Sequence, residues 1–402
     1  MHWGHATSTD LLHWTELKVA LDPDALGAIY SGSAVIDKNN TAGFGDDVMV
    51  CIYTSAGGRI TSSWGKPFTQ SIAYSYDDIT YNKYVNNPVL LEQINRNRDP
   101  KVFWHEETHQ WIMILFMNDG DIKDYGLFSS PNLIDWTFIQ QIKIGQTKEC
   151  PDMFELSYNG VSKWITCGTK GQYCVGTFDG RQYVTDSTMK KMAFGKYSYS
   201  SQTWNNTPDG RIIQIFRLGS DSISQMTIPI ELRLIDNQDP LQNLTEHFVN
   251  VQQNKQTTEH RINYTLACKP ITEYEKLLTK ELKLIKDYAI TKLSVTSPVD
   301  VFDIKILFRA TKQMIIETNN GNIIYDAQTQ ELSFDSYSVR VPLITDIDGN
   351  KYVQMQLVFD RYSLEIFCND GRMFIPFCLD RQINQITIQR LYVKYFKISC
   401  IE

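Results

Sequence analysis

Three stretches of this chain repeat one turn design, and that repeat limits the fold more than any other feature. Ser8-Thr9-Asp10-Leu11-Leu12-His13-Trp14, Ser75-Tyr76-Asp77-Asp78-Ile79-Thr80-Tyr81 and Ser130-Pro131-Asn132-Leu133-Ile134-Asp135-Trp136 each carry an Asx two residues after a serine and an aromatic four residues later. A looser version, Thr177-Phe178-Asp179-Gly180, follows, and the Asx positions are 67, 55 and 47 residues apart. An Asx side chain caps its own turn, and the aromatic can pack beneath a neighbouring sheet. Between these turns lie short apolar runs at 48–53, 111–117, 164–167 and 212–216, with almost no helical period before residue 180. Units of about 50 residues holding several short strands point to a β-propeller. Coincidental recurrence of turn chemistry is the alternative.

The second half changes character. Residues 236–261 are polar, rich in Gln and Asn, and read as a linker. Residues 270–285 place leucines at 277, 278, 282 and 284 among lysines and glutamates, which predicts a short amphipathic helix. From about Leu293 the strand pattern returns, and Asn320-Gly321 and Asp370-Gly371 are hairpin signals. This block reads as a β-sandwich. The expected division is a propeller domain at 1–240, a linker with a short helix at 241–292, and a sandwich at 293–402.

Composition excludes several classes of function. The formal net charge of −7 leaves no basic stripe for phosphate contacts, so no nucleic-acid partner is expected. No apolar run approaches the roughly 20 residues of a membrane helix, so no membrane partner is expected either. The eight cysteines show no zinc spacing and read as buried thiols in a reducing compartment. Sequons stand at Asn39, Asn205, Asn243 and Asn263 and matter only in a secreted chain. No signal peptide is evident, so the chain as written reads as cytoplasmic.

Two acids stand beside rigidifying residues. Asp99 lies in Arg98-Asp99-Pro100, where the proline is expected to hold it extended at the start of a strand. Arg98 is expected to keep it ionised. A sugar-binding carboxylate and a local Arg–Asp turn pair both fit. Glu149 lies in Lys148-Glu149-Cys150-Pro151-Asp152 and could be a desolvated acid or a solvated loop residue. Glycoside hydrolysis uses two carboxylates of opposite protonation across the scissile bond. The aromatics Trp3, Trp14, Tyr30 and Trp64 could stack on sugar rings or fill the core. His105-Glu106-Glu107-Thr108-His109 fits the zinc-protease pattern, which requires a helix. Here it falls between two strand-like runs, so a polar hairpin tip is expected and no metal.

Taken together, these motifs resemble glycoside hydrolase family 32, the invertases and fructan hydrolases, over nearly all 402 residues. The resemblance rests on Met1-His2-Trp3-Gly4-His5-Ala6 with Asp10-Leu11-Leu12-His13-Trp14, on Ser31-Gly32-Ser33-Ala34, and on Gln70-Ser71-Ile72-Ala73-Tyr74-Ser75. It extends through Asn87-Pro88-Val89, Arg98-Asp99-Pro100 and Glu149-Cys150-Pro151-Asp152 to Asp360-Arg361 and the stretch from Glu365 to Gly371. It implies an all-β chain: a five-bladed β-propeller, its first blade incomplete, followed by a β-sandwich. It also implies that Asp99 stabilises the transition state with Arg98 in support, and that Glu149 is the general acid/base. Trp3, Tyr30, Ser31 and Trp64 would line a fructose subsite. A fructose-containing sugar, sucrose or a fructan, would be the ligand, with no cofactor.

The chain also departs from that pattern. The family's nucleophile is an aspartate in a Trp-Met-Asn-Asp-Pro-Asn-Gly stretch preceding the His-Trp-Gly-His signature, which here begins the chain. No Asn-Asp-Pro-Asn stretch follows it. Asn97 stands where an aromatic is usual, and Ile230 where an arginine is frequent. The expectation is therefore an inactive pseudoenzyme that binds sugar or has been repurposed. The alternatives are a working β-fructofuranosidase and a scaffold without sugar binding. About two strands of the first blade would be missing, and a homo-oligomer is expected to bury the exposed edge. A leader peptide would be lost with the same segment.

Overall fold

The computed structural model describes residues 1–119, 122–143, 149–196, 198–204, 206–219, 224–236, 262–296, 301–345 and 349–401. The stretch expected to be a linker lies outside the described residues apart from Asp236, as do the sequons at Asn205 and Asn243. The chain divides into two compact units, Met1–Lys191 with Ser200–Gln214, and Met192–Tyr199 with Ile215–Glu402.

The first unit opens with strands β1 (Trp3–Thr7) and β2 (Thr15–Leu21), paired as a two-stranded sheet. Three antiparallel meanders follow. The first is β3 (Ala28–Asp37), β4 (Val48–Ala56), β5 (Phe68–Ser75) and β6 (Asn82–Lys83). The second is β7 (Arg98–His105), β8 (Gln110–Asp119), β9 (Ile122–Ser130) and β10 (Thr137–Ile142). The third is β11 (Asp152–Tyr158), β12 (Val161–Cys167), β13 (Gln172–Phe178) and β14 (Tyr183–Thr185), with β15 (Lys190–Lys191) also on β13. The pattern recurs in β16 (Ser198–Thr203), β17 (Ile212–Gly219), β19 (Ile230–Asp236) and β20 (Tyr264–Pro270), with β18 (Ser224–Met226) on β17. These are propeller blades: four of four or five strands, and a two-stranded one.

The repeated turns recur in the two-stranded blade as well. Asp10, Asp77 and Asn132 each accept the backbone N–H groups two and three residues on, at 2.7–3.0 Å. Asp179 does the same for Arg181 and Gln182. The indoles of Trp14 and Trp136 donate to the carbonyls of Leu11 and Leu133, and the Tyr81 hydroxyl donates to Asp78. The turns at Asp77, Asn132 and Asp179 join the third and fourth strands of their blades, and the turn at Asp10 joins β1 to β2.

Period-two alternation builds the contacts between blades. In β8, Trp111, Met113 and Leu115 face a core with Val50, Ile52 and Val102, while Ile112, Ile114 and Phe116 face another with Tyr125, Met153 and Phe178. Both faces of the strand are buried, which is why 111–117 reads as one continuous apolar run. Burying side chains of this size contributes about 1.5–3 kcal/mol each.

The second unit holds an eleven-stranded antiparallel sheet, in the order β26–β25–β24–β23–β31–β22–β28–β29–β30. Its strands are β21 (Leu278–Thr296), β22 (Phe302–Arg309), β23 (Gln313–Thr318), β24 (Gly321–Asp326), β25 (Glu331–Phe334), β26 (Tyr337–Arg340) and β27 (Ile344–Thr345). They continue with β28 (Lys351–Asp360), β29 (Ser363–Cys368), β30 (Met373–Cys378) and β31 (Gln385–Ile401). β21 pairs β31 and β27 pairs β28. Strand β31 pairs β23 through Ile386–Ile388 and β22 through residues 393–400, so one strand belongs to both layers of the sandwich. Both predicted hairpins form: β23 turns into β24 at Asn319-Asn320, and β29 into β30 through Asn369–Arg372.

The helix expected at 270–285 is not formed. A 3-10 turn covers Thr272–Leu277, and β21 begins at Leu278. Bulges between Leu278 and Lys280 and between Glu281 and Lys283 each add an unpaired residue. They stretch the strand's two-residue repeat, so the partly buried Leu278, Leu282 and Ile285 fall at helix-like spacing. The H-E-x-x-H residues form a hairpin: His105 ends β7, the next four residues turn, and Gln110 starts β8. Among the described residues no helix is long and apolar enough to cross a membrane. All eight cysteines are free thiols, six of them buried.

Candidate active site

The site residues stand where β3, β7 and β11 begin, and two of these starts are bulged. Register shifts between Arg98 and Lys101 in β7 and between Ile29 and Gly32 in β3 set Asp99, Tyr30 and Ser31 off the ladder. Such bulges re-aim side chains out of a sheet.

Asp99 is 7% exposed and has φ +61. The extended conformation expected before Pro100 is therefore not adopted. Its backbone N–H leaves the ladder and donates to Thr54 Oγ1 at 3.0 Å. Thr54 donates in turn to Gln70 Oε1 at 2.7 Å, and Gln70 Nε2 donates to the Asn97 carbonyl at 3.2 Å. Asn97 Oδ1 accepts the Gln93 N–H at 3.0 Å, pinning the loop that leads into Arg98. Side chains of β4 and β5 thus fix a backbone conformation that β7 alone would not hold.

The Asp99 carboxylate accepts the Cys150 N–H at 3.1 Å, and the Cys150 thiol lies 3.7 Å from the same oxygen. Cys150 has φ +53, and burial pushes its thiol up, so it remains protonated. The thiol also reaches Ser200 Oγ at 3.6 Å. Burial pushes Asp99 up to about 6, against the Cys150 N–H and Arg98, which pull it down, and with Glu149, which adds to the rise. Arg98 thus favours the ionised form of Asp99, as expected, but desolvation outweighs it and the net shift is upward.

Arg98 lies mainly with the other acid. It donates Nη2 to Glu149 Oε1, and its Nε is 3.8 Å from Asp99 Oδ2. Its guanidinium lies 4.6 Å from the centre of the Phe116 ring, and Nη1 is tied to the Arg96 carbonyl at 2.7 Å. Both carboxylates therefore share one oriented cation. Glu149 is half-buried rather than a freely solvated loop acid.

Behind the acids lies a buried ion pair. Lys101 and Asp152 have side chains 1% and 0% exposed, 3.6 Å apart. Asp152 accepts the Thr203 N–H at 2.7 Å, and Lys101 donates to Thr203 Oγ1 at 3.1 Å. The pair joins β7, β11 and β16 just behind the two acids.

The aromatic candidates are less united. Trp3 donates its indole N–H to the Tyr30 carbonyl at 2.9 Å and meets Tyr53 edge-on. Tyr30 is half-buried against Phe68, and Ser31 is exposed beside it. Trp64 follows a 3-10 turn and is 84% exposed. The structure brings Arg98, Asp99 and Glu149 together, and separately Trp3 and Tyr30. Cys150, Thr54 and Gln70 support Asp99 from 51, 45 and 29 residues away, and only the motif membership of Cys150 and Gln70 hinted at them.

Two carboxylates, Asp99 and Glu149, thus stand about one arginine at the strand starts of a β-propeller, and a carboxylate pair is what glycoside hydrolysis generally uses. Residues 1–241 match the N-terminal domain of glycosyl hydrolases family 32, and the chain belongs to that family. It is 30% identical to a levanase of Bacillus subtilis over 93% of this chain and 59% of the levanase. It is 36% identical to an extracellular exo-inulinase of Meyerozyma guilliermondii over 52% of this chain and 43% of that protein. The chain thus spans less than two thirds of these curated relatives. A fructofuranosidase from Schwanniomyces occidentalis complexed with fructosylnystose superposes with TM-score 0.83 at 22% identity, over 100% of this chain and 89% of that one. An exo-inulinase from Aspergillus awamori superposes with TM-score 0.81 at 23% identity, over 100% and 90%. The fold is that of the invertases and inulinases.

Proposed function

We propose that the 402-residue polypeptide binds a fructose-containing sugar, sucrose or a fructan, but does not hydrolyse it unaided. One observation carries the sugar site: a single guanidinium orients Asp99 and Glu149 at adjoining strand starts. Ionised, Asp99 would accept two ring hydroxyls of a fructosyl unit. Glu149 would protonate the leaving oxygen, and Trp3, Tyr30, Ser31 and Trp64 would line the subsite. The relatives and neighbours are named for levan, inulin and fructosides, which supports the substrate class.

Retaining hydrolysis also needs a carboxylate that attacks the anomeric carbon. The family's Asn-Asp-Pro-Asn stretch occurs nowhere in these residues. General acid catalysis alone supplies only about 10²–10⁴-fold. The observation favouring the second reading, a working β-fructofuranosidase, is the same arginine-bridged pair. Calorimetric titration with fructose, alongside an assay for glucose release from sucrose, separates the two. Binding without release is expected, and release abolished by Glu149→Ala would establish the second reading. With fructosyl fluoride, azide should restore turnover: a C–N bond forms, C–F breaks and fluoride leaves unprotonated.

The proposal includes a homo-oligomer. Strands β1 and β2 are largely exposed, with Trp14 and Val19 45% and 43% accessible, and a second copy would cover them. Light scattering at micromolar concentration should give a multiple of 46.4 kDa, and a monomer mass refutes the oligomer alone.

A further inference from the structure

Strands β3, β7 and β11, which carry the site residues at their starts, also line a cavity farther along. It has a volume of about 330 Å³ and lies within the first unit. Its nearest lining residues along the chain are Phe103, four residues after Asp99, and Met153, four after Glu149, which puts its near wall at most about 13 Å from the acids.

Its lining has two parts. Rings come from Trp104, Trp111, Trp164 and Trp204, each on a different strand or loop. Trp204 is held by Trp14, the two rings stacked with centres 6.3 Å apart and planes 21° apart. Trp104 meets Trp111 edge-on at 5.0 Å. The charged side chains are Lys38, Arg211, Glu106 and Glu155, joined by the amides of Asn39 and Asn206 and the hydroxyl of Thr207. Glu106 belongs to the hairpin tip of the H-E-x-x-H residues, a motif the first site leaves unused.

We propose that this cavity is a second saccharide-binding site, taking a neutral oligosaccharide. Flat indole faces match the C–H faces of pyranose and furanose rings. Carboxylates and amides around them accept and donate to hydroxyls. Lys38 and Arg211 stand beside Glu106 and Glu155, and Arg211 is already paired with Asp209 at 2.5 Å, so no net positive charge draws a phosphorylated or sulfated ligand. The volume falls in the range of small-ligand pockets and suits one or two sugar rings. Rings already clamped by their neighbours spend little ordering entropy on binding. The site would grip a chain remote from the acids, and it stands independently of what the Asp99 site binds or does.

The test is a titration of the 402-residue polypeptide with fructosylnystose, read by the indole N–H resonances. Trp104, Trp164 and Trp204 should shift together and saturate. Trp204→Ala should weaken that response by about tenfold, and Glu149→Gln should leave it unchanged. If Trp204→Ala fails to fold, Glu155→Trp, which fills the cavity from an exposed position, should abolish the shifts. Unmoved indoles, or shifts that vanish with Glu149→Gln, overturn the proposal. Tighter binding of fructose 6-phosphate than of fructose at these indoles overturns its neutrality.

Discussion

Replacing Lys101 by methionine tests whether the buried ion pair behind the acids organises the site. Its ammonium donates to Thr203 and lies 3.6 Å from an Asp152 that is wholly buried. Methionine keeps most of the volume but leaves that carboxylate, among the described residues, with its Thr203 hydrogen bonds at 2.7 and 3.2 Å. Removing one partner of a buried pair costs about 3–5 kcal/mol, most of it the uncompensated charge. At about 3 kcal/mol per molar urea, the unfolding midpoint followed by tryptophan fluorescence should fall by roughly 1–1.7 M. Lys101→Met with Asp152→Asn removes both charges and should recover at least half of the loss. Lys101 follows Asp99 by two residues and Asp152 follows Glu149 by three. Fructose affinity should therefore fall in the single variant and partly return in the double. A single-variant shift below about 0.3 M, or a double variant worse than the single, would refute the reasoning.

Three further outcomes follow from the same geometry. Fructose should bind more tightly as pH rises through about 6, where Asp99 ionises, and Asp99→Asn should flatten that dependence in calorimetry. Glu365 is buried and accepts the Ile228 N–H at 3.0 Å, and burial pushes it up to about 8 from an ordinary 4.5. The folded state keeps this proton while the unfolded chain releases it, so stability falls from pH 4.5 to 8. Glu365→Gln should match the parent near pH 4 and exceed it by up to about 5 kcal/mol above pH 8; parallel curves would contradict this. A Cβ on Gly371, at φ +75, would lie 1.6 Å from the Cys268 carbonyl oxygen, so Gly371→Ala should destabilise by about 3 kcal/mol or more and lower the urea midpoint by about 1 M or more.

Local chemistry made much of this legible in the sequence. The turns at Asp10, Asp77, Asn132 and Asp179 are settled within four residues of chain, so their hydrogen bonds could be anticipated. The β7–β8 hairpin was legible because apolar runs flank His105 and His109. The helix at 270–285 was misread because bulges imitate its period, and a bulge depends on the partner strand rather than on the residues that form it. The acids themselves were legible as motif members, but their electrostatics were not. The conformation of Asp99 is set by Thr54 and Gln70, its proton affinity by burial, and the hold of Arg98 by Glu149, 51 residues on. Chain neighbours carry no record of such distant partners.

Strand β31 has a consequence for errors in the second unit. Its 17 residues are hydrogen-bonded to β21 along their length, to β23 near one end and to β22 near the other. A slip of one residue there would turn Ile386, Ile388, Phe396 and Ile398 outward at once, exposing both halves of one interior. No half-correct alignment of this sheet is available, so its assembly must succeed or fail as a whole.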